Sequence, residues 1–137
     1  MSRENAEIIR RAVAAMNRRD LDAFIACLHP DVEWEESTDA FPGLTGTYCG
    51  RARVRRWAEQ AVLELWASLE LEIEEITETG DGRVLLETLV TARGTASGVD
   101  TEIRAWQLFW FADERISRRR GPFWDRDVAL EAVGVRV

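Results

Sequence analysis

The chain has 137 residues, 46% of them hydrophobic and 31% charged, a composition typical of one folded domain. A net charge of −7 argues against nucleic acid and anionic membranes as partners, because both would repel the protein. No apolar run approaches the roughly 20 residues that cross a bilayer, and the N-terminal stretch lacks a signal-peptide pattern, so we expect a cytoplasmic protein.

Two amphipathic helices are predicted at the start of the chain. Apolar residues at i, i+3, i+4 and i+7 spacing predict the first over about residues 4–17. Asp20 is placed to cap the second, because its carboxylate can accept the free amide hydrogens of the first turn. Pro30 is expected to end this helix, which puts His29, the only histidine, in its last turn with a structural role.

The stretch HPDVEWEES (29–37) reads as the first strand. Side chains alternate along a strand, so Val32, Trp34 and Glu36 share one face. Two of these three are apolar, which predicts that the face points into the protein. Glu36 is then either a buried carboxylate suited to proton transfer or a solvated strand end.

The rest of the chain continues with a loop (37–50), a third helix after Gly50, and then a change of period from 3.6 to 2. Four consecutive strands follow, with a hairpin turn at 79–82, and a short closing helix capped by Asp125 or Asp127. This order predicts an α+β fold in which a curved, cone-shaped antiparallel sheet wraps the N-terminal helices. Such a hollow is where a small ligand would bind.

Metal and cofactor chemistry has no support in the sequence. Cys27 and Cys49 lack metal-ligand spacing, and one histidine cannot form a multi-His site. All eighteen basic residues are Arg, so Schiff-base chemistry on a Lys side chain is excluded. We expect neither a metal nor a cofactor.

Four segments resemble the nuclear transport factor 2-like superfamily and, within it, the SnoaL-like polyketide-cyclase type. They are NRRDLDAFIACLHPDVEW (17–34), PGLTGTYCGRARVRRW (42–57), DERI (113–116) and DRDVALEAVG (125–134). The resemblance implies a cystatin-like α+β barrel and a single domain over residues 1–137. Because this fold carries many activities, it does not by itself name a function.

The resemblance also implies site positions. In the ketosteroid-isomerase branch the strand after the second helix ends with a proton-shuttling carboxylate, and that place falls on Glu36. The oxyanion tyrosine of that branch falls on Ala12, and its second acid falls near Arg104. The acid that cyclases and epoxide hydrolases carry on the final strand falls at about Gly121, and the Pro122 beside it predicts a bulge.

The candidate site follows from these positions and from the strand faces. Glu36 is the candidate base, with Tyr48, Arg104 or a Trp indole N–H as oxyanion donor. Tyr48 has the alternative of bracing its loop, Glu87 either pairs with Arg104 in the hollow or faces outward, and the run 118–120 is either a ligand site or a solvated edge. The substrate-binding candidates are Trp34, Trp57, Glu87, Trp106, Arg118 and Phe123.

The function predicted from these residues is acid–base chemistry without a cofactor on a small hydrophobic carbonyl compound, as an isomerase, cyclase or dehydratase. The alternative is a non-catalytic ligand-binding or dimerisation module. We also expect a homodimer through the outer sheet face, because the long strands are apolar on both faces and the chain has six tryptophans.

Overall fold

The protein is a curved six-stranded sheet with helices on its inner side and one helix on its outer side. The computed structural model describes residues 2–37, 44–95 and 98–134, with the backbone alone for 2 and 3. The elements are α1 (Ser2–Asn17), α2 (Leu21–Ala26), β1 (Leu28–Glu36), β2 (Gly46–Cys49), α3 (Arg51–Ala58), a π-helical segment (Glu59–Glu64), β3 (Trp66–Glu78), β4 (Val84–Gly94), β5 (Asp100–Ala112), β6 (Arg115–Phe123) and α4 (Arg126–Val133).

The strand order is β2-β1-β6-β5-β4-β3, and the sheet is not closed. The α+β prediction is confirmed, and so are the four consecutive antiparallel strands β3 to β6. The expectation of a wholly antiparallel sheet is wrong at one place, because β1 pairs with β6 in parallel. This pairing brings the end of β1 beside the end of β6, which is where the candidate site forms.

The second helix starts as predicted and ends early. The Asp20 carboxylate accepts a hydrogen bond from the Ala23 amide at 3.1 Å. The helix stops at Ala26, because the Cys27 carbonyl already accepts a hydrogen bond from the amide of Ile116 in β6. His29 therefore lies in β1, not in a helix, and its Nε2 is 3.2 Å from the Asp113 carboxylate.

The predicted loop 37–50 contains a short strand, β2, that pairs with the end of β1; residues 38–43 of this loop lie outside the described ranges. The closing helix is confirmed. Asp125 is its N-cap and accepts from the Asp127 amide, and Gly134 ends it with a left-handed φ of 92°. No helix within the described residues is long and apolar enough to cross a membrane.

The sheet has a core on each face. Helices α1, α2 and α3 cover the inner face around Phe24, Trp34 and Phe109. Helix α4 covers part of the outer face, where Trp106 and Phe123 are buried. Successive side chains of a strand point to opposite faces of the sheet. The alternation in each strand therefore determines which polar residues face the inner core and which face the outer core.

Candidate functional site

Glu36 lies in the interior of the curved sheet. The alternation predicted for β1 is confirmed, since Val32, Trp34 and Glu36 are 0%, 2% and 1% exposed. The register continues with Glu36 between Gly46 of β2 and Gly121 of β6. A carboxylate is rarely buried to this extent unless it has a partner.

That partner is Arg119, which lies in the arginine run 118–120 but was not among the substrate-binding candidates. On β6, Ile116 lies opposite Phe111 and Arg119 lies opposite Phe109, so three steps on β6 match two steps on β5. The extra residue is a β-bulge near Ser117, and it reverses the alternation of the strand. Arg119 faces the interior as a result, and the flanking arginines face outward.

Arg119 is bound on several sides. Its Nη1 donates to Glu36 Oε1 at 3.1 Å and to the carbonyl oxygens of Glu35 and Gly121 at 2.9 Å each. Its Nε donates to Gln107 Oε1 at 2.7 Å. The Arg119 and Glu36 side chains are 4% and 0% exposed, so this is a fully desolvated ion pair whose geometry is fixed by backbone acceptors.

Aromatic rings enclose the ion pair. The Arg119 guanidinium carbon lies 4.8 Å from the ring centroid of Trp34 and 5.6 Å from that of Trp57. The ring centroids of Trp34 and Trp57 are 5.1 Å apart. The ring centroids of Phe24 and Phe109 lie 5.5 and 6.2 Å from that of Trp34. These contacts place the guanidinium over electron-rich ring faces with little water.

Burial controls the protonation of the pair. It raises the pKa of Glu36, and the charge and hydrogen bond of Arg119 offset only part of that rise. Burial lowers the pKa of Arg119, while the carboxylates of Glu36 and Glu35 oppose that change. The Trp57 indole N–H favours the charged form of Glu36 least of these groups, because it does not reach hydrogen-bond geometry with the carboxylate.

Three buried polar atoms of this cluster have no hydrogen-bond partner among the described residues. They are Glu36 Oε2 and the indole nitrogens of Trp34 and Trp57. One acceptor and two donors are thus available in an apolar surrounding. Leaving such groups unpaired costs about 1–3 kcal/mol each, so a cluster of them suggests that the site binds something polar.

A cavity of about 70 Å³ adjoins the cluster. Its lining side chains with polar atoms are Trp57, Gln107, Arg119 and Trp124, and the rest are apolar. Glu36 does not line this cavity but contacts Arg119, which does. A second cavity of about 20 Å³ shares Gln107 as a wall. Two larger grooves, about 670 and 870 Å³, are open to solvent and lie away from Glu36.

Tyr48 lies close to the cluster but is already engaged. It is opposite Trp34 in the β1–β2 register, and its hydroxyl donates to the Leu44 carbonyl at 2.7 Å. Burial and, to a smaller extent, the Glu36 charge raise its pKa. The structure therefore places Tyr48 where the loop-bracing alternative put it, while Trp34 and Trp57 lie in the interior as expected.

The other candidate residues lie on the outer face. This is the outward alternative for Glu87, and it corrects the interior location expected for Arg104 and the remaining binding candidates. Arg104 is 56% exposed in its side chain and pairs with Glu74 and Glu87 at 3.3 and 3.4 Å. The predicted Arg104–Glu87 pair is present, but it faces outward. The remaining outer-face candidates take this side because their strand parity matches that of Glu87; they are Trp106, Arg118 and Phe123.

Gly121 holds the bulge that follows Arg119. Leu108 and Trp106, two residues apart on β5, pair with Arg120 and Phe123, which are three residues apart on β6. The bulge expected at Pro122 is therefore present. At Gly121, φ is 148° and an added Cβ would lie 3.1 Å from the Trp106 carbonyl oxygen and 3.2 Å from the Gln107 Cα. The backbone at this point therefore has no room for a side chain.

Replacing Gly121 with Ala should destabilise the protein more than the same change at Gly46. Both residues have a φ that costs a side chain about 1–3 kcal/mol, because they are at 148° and 140°. Only Gly121 adds a clash with backbone, since nothing lies within 4 Å of a Cβ at Gly46. Urea unfolding of the two variants measures the difference, and equal losses would contradict the clash.

No group of three or more His, Cys, Asp and Glu side chains is arranged to hold a metal ion within the described residues. Around the Glu36 carboxylate, the described residues bring together the guanidinium of Arg119, the amide of Gln107 and the indoles of Trp34 and Trp57. Such a set can move a proton and stabilise a charged oxygen.

Solved structures similar to this chain share its fold. TerC, co-crystallised with polyporic acid, is 23% identical, with 96% of this chain and 99% of that chain covered and a TM-score of 0.78. An NTF2-like protein of unknown function from Burkholderia pseudomallei is 23% identical, with coverages of 96% and 98% and a TM-score of 0.79.

A third similar structure comes from Catenulispora acidiphila. It has a ketosteroid isomerase-like fold and contains trimethylamine, and it is 16% identical with coverages of 95% and 94% and a TM-score of 0.72. No curated protein matches the chain in sequence. The SnoaL-like domain family matches residues 9–119, which is most of the chain. The protein therefore belongs to the SnoaL-like domain family.

Proposed function

We propose that the protein binds a small hydrophobic carbonyl compound in the interior, between the cavity lined by Trp57 and Arg119 and the Glu36 carboxylate next to them, and transfers a proton on it without a cofactor. The observation that carries this proposal is Glu36 Oε2, a fully buried carboxylate oxygen without a hydrogen-bond partner in the described part of the chain. A base of this kind is more useful near neutral pH when burial raises its pKa.

The chemistry assigned to the site is enolisation. Glu36 does not line the cavity, so the carbon beside the carbonyl group reaches it past Trp57 and Arg119. Glu36 takes a proton from this carbon, the electron pair of the C–H bond forms a C=C bond, and the electron pair of the C=O π bond moves to the carbonyl oxygen. The donors for this oxygen are Trp57 and Arg119, which replace the expected Tyr48 and Arg104. Return of the proton to another carbon gives an isomerase; ring closure or loss of water from the enolate gives a cyclase or dehydratase.

The size of the cavity limits what enters it. An engineered apolar cavity of about 150 Å³ holds one benzene ring, and the cavity here is about half that volume. It therefore accommodates the reacting group, while the body of the molecule lies toward Trp124, which lines the cavity and is 39% exposed. The organic ligands in TerC and in the Catenulispora protein support a small-molecule ligand.

The second candidate function is a non-catalytic binding module. The observation that favours it is the packing of the interior, since Trp34, Trp57 and Phe109 belong to the inner core and the cavities beside them measure about 70 and 20 Å³. The homodimer and the cytoplasmic location remain predictions. Sedimentation of the purified protein tests the homodimer.

Glu36→Gln is the variant that separates the two functions. Incubation with a panel of carbonyl compounds in D₂O, followed by NMR, measures hydrogen exchange beside the carbonyl. Removal of the base should slow exchange by about 10²–10⁴-fold and change ligand affinity only a few-fold, because glutamine has the same shape. Glu33→Gln, on the exposed face of the same strand, should keep full activity. Exchange that survives in Glu36→Gln would remove Glu36 from the mechanism.

A further inference from the structure

The guanidinium of Arg119 has one amino group, Nη2, that makes no hydrogen bond to the described residues. Its Nε and Nη1 make four hydrogen bonds, to Gln107, Glu35, Glu36 and Gly121. Its Nη2 makes none within residues 2–37, 44–95 and 98–134. Arg119 is 3% exposed and lines the interior cavity, so this nitrogen is a charged donor enclosed by the fold.

Gln107 adds a second donor beside it. Arginine cannot accept a hydrogen bond, so the atom of Gln107 that faces Arg119 Nε has to be the oxygen. The amide nitrogen of Gln107 is consequently directed away from Arg119, and no hydrogen bond from it occurs in the described ranges. Gln107 lines both interior cavities, and it lies on the inner face beside Phe109.

The polar lining of the cavity therefore consists of donors. Arg119 Nη2 and the Gln107 amide nitrogen are its available groups, because the oxygen of Gln107 is already engaged by Arg119 and Glu36 does not line the cavity. The Trp57 indole nitrogen is fully buried and acts on Glu36. A ligand satisfies such a lining with an oxygen that accepts hydrogen bonds.

A cationic ligand does not fit this site, because Arg119 already lies over the aromatic rings. An organic ammonium ion would seek the faces of Trp34 and Trp57, but the Arg119 guanidinium already lies over both, at 4.8 and 5.6 Å from their centroids. A second cation in contact with a buried guanidinium would be repelled in this low-dielectric interior.

We propose that Gln107 and Arg119 form an anchor for the acceptor oxygen of the ligand, either a ketone carbonyl or a carboxylate, borne on a small apolar group. This inference rests on the proposed function and names the group of the substrate that the site recognises. Gln107 and Arg119 thereby become specificity-determining residues, which the sequence patterns did not indicate.

Three probes of similar branched shape test the anchor: acetone, isobutyrate and trimethylammonium. Titration is followed through the indole N–H signals in ¹H–¹⁵N NMR spectra, with the Trp57 signal assigned from a Trp57→Phe variant. Acetone or isobutyrate should shift the Trp57 signal with saturation, and trimethylammonium should not. Binding of acetone alone identifies a neutral carbonyl as the ligand group, and binding of isobutyrate alone identifies a carboxylate.

Gln107→Glu is the decisive variant. A carboxylate at this position still accepts from Arg119 Nε, so the internal bond is kept while the free N–H donors are lost and a negative charge is added. The affinity for isobutyrate should fall by at least about tenfold, and that for acetone should also fall. The same change at the exposed Gln60 should leave both affinities as in the wild type.

Unchanged affinities in Gln107→Glu would overturn the anchor, and so would saturable binding of trimethylammonium or failure of both acceptor probes to bind. These outcomes are independent of Glu36 as the base, because the titrations measure binding and not turnover. Loss of exchange in Glu36→Gln with unaffected binding in Gln107→Glu would leave proton transfer standing without this anchor.

Discussion

Replacing Arg119 with Met should lower the free energy of unfolding by about 3–5 kcal/mol at pH 7, because it leaves a buried carboxylate without its counter-ion. Glu36 is 1% exposed, so it must either remain charged in an apolar surrounding or take up a proton. Proton uptake at pH 7 costs about 3–4 kcal/mol, since each pH unit above the usual pKa of a glutamate costs about 1.4 kcal/mol. Urea unfolding measures the loss.

The double variant Glu36→Gln/Arg119→Met tests this cause. It removes both charges, so it should recover most of the stability that Arg119→Met loses. Arg118→Met is the matched control, because Arg118 lies on the outer face and stacks on Trp110 at 4.5 Å instead of balancing a buried charge. A double variant no more stable than Arg119→Met would show that lost packing, not the unpaired charge, dominates.

The free energy of unfolding of Arg119→Met should also depend on pH because of the unpaired Glu36 carboxylate. Burial already raises the folded-state pKa of Glu36 in the presence of Arg119, and loss of the guanidinium raises it further. A carboxyl group with a raised folded-state pKa contributes stability when the pH is below its pKa in the unfolded chain. This contribution is lost as the pH rises through its pKa in the folded protein. The deficit of Arg119→Met relative to the double variant should therefore shrink at about pH 4. Glu35 and Tyr48 are the nearby titratable groups, and both variants retain them.

Replacing Trp34 with Ala should cost about 3–5 kcal/mol of unfolding free energy, as expected for a large aromatic residue removed from a core. Trp34 is 2% exposed and contacts Phe24, Trp57 and Phe109 as well as Arg119. Its removal opens a cavity in the middle of the inner core, and the covering helices can fill it only in part. Thermal or urea unfolding detects a loss of this size directly.

Two comparison variants make the Trp34 result specific. Trp124→Ala should cost less, because 39% of that residue is already exposed. Trp34→Phe should cost less than Trp34→Ala, since it keeps a ring against Phe24 and removes a buried indole N–H that has no partner among the described residues. A Trp34→Ala variant as stable as Trp124→Ala would contradict the central role of Trp34 in the core.

Glu36 could be predicted from the sequence because its evidence is local. The alternation of HPDVEWEES contains no bulge between Val32 and Glu36, so strand parity assigns the face correctly. The cap at Asp20 and the closing helix are local in the same way. Their chemistry is complete within about four residues, and tertiary contacts did not override it.

Arg119 could not be predicted because its orientation depends on pairing with another strand. Counting by twos from the inward-facing Ile116 assigns Arg118 to the interior, and only the bulge against β5 brings Arg119 there instead. The position of Trp106 also depends on a distant element. Helix α4 packs on the outer face of the sheet and buries Trp106 there. Likewise, β1 begins at Leu28 because Ile116 of β6 pairs with it, and helical periodicity does not indicate such a pairing.

The bulge near Ser117 has a consequence for how the chain tolerates insertions and deletions. A shift of a strand by one residue moves every side chain to the other face of the sheet. A buried polar side chain is then usually replaced by a side chain of a different type. Residues 118, 119 and 120 are all arginine, so a slip in either direction still places a guanidinium opposite Trp34. The repeat of one residue type thus protects the charge balance of the interior against a shift in register, and Glu36 keeps a cation within reach whichever arginine supplies it.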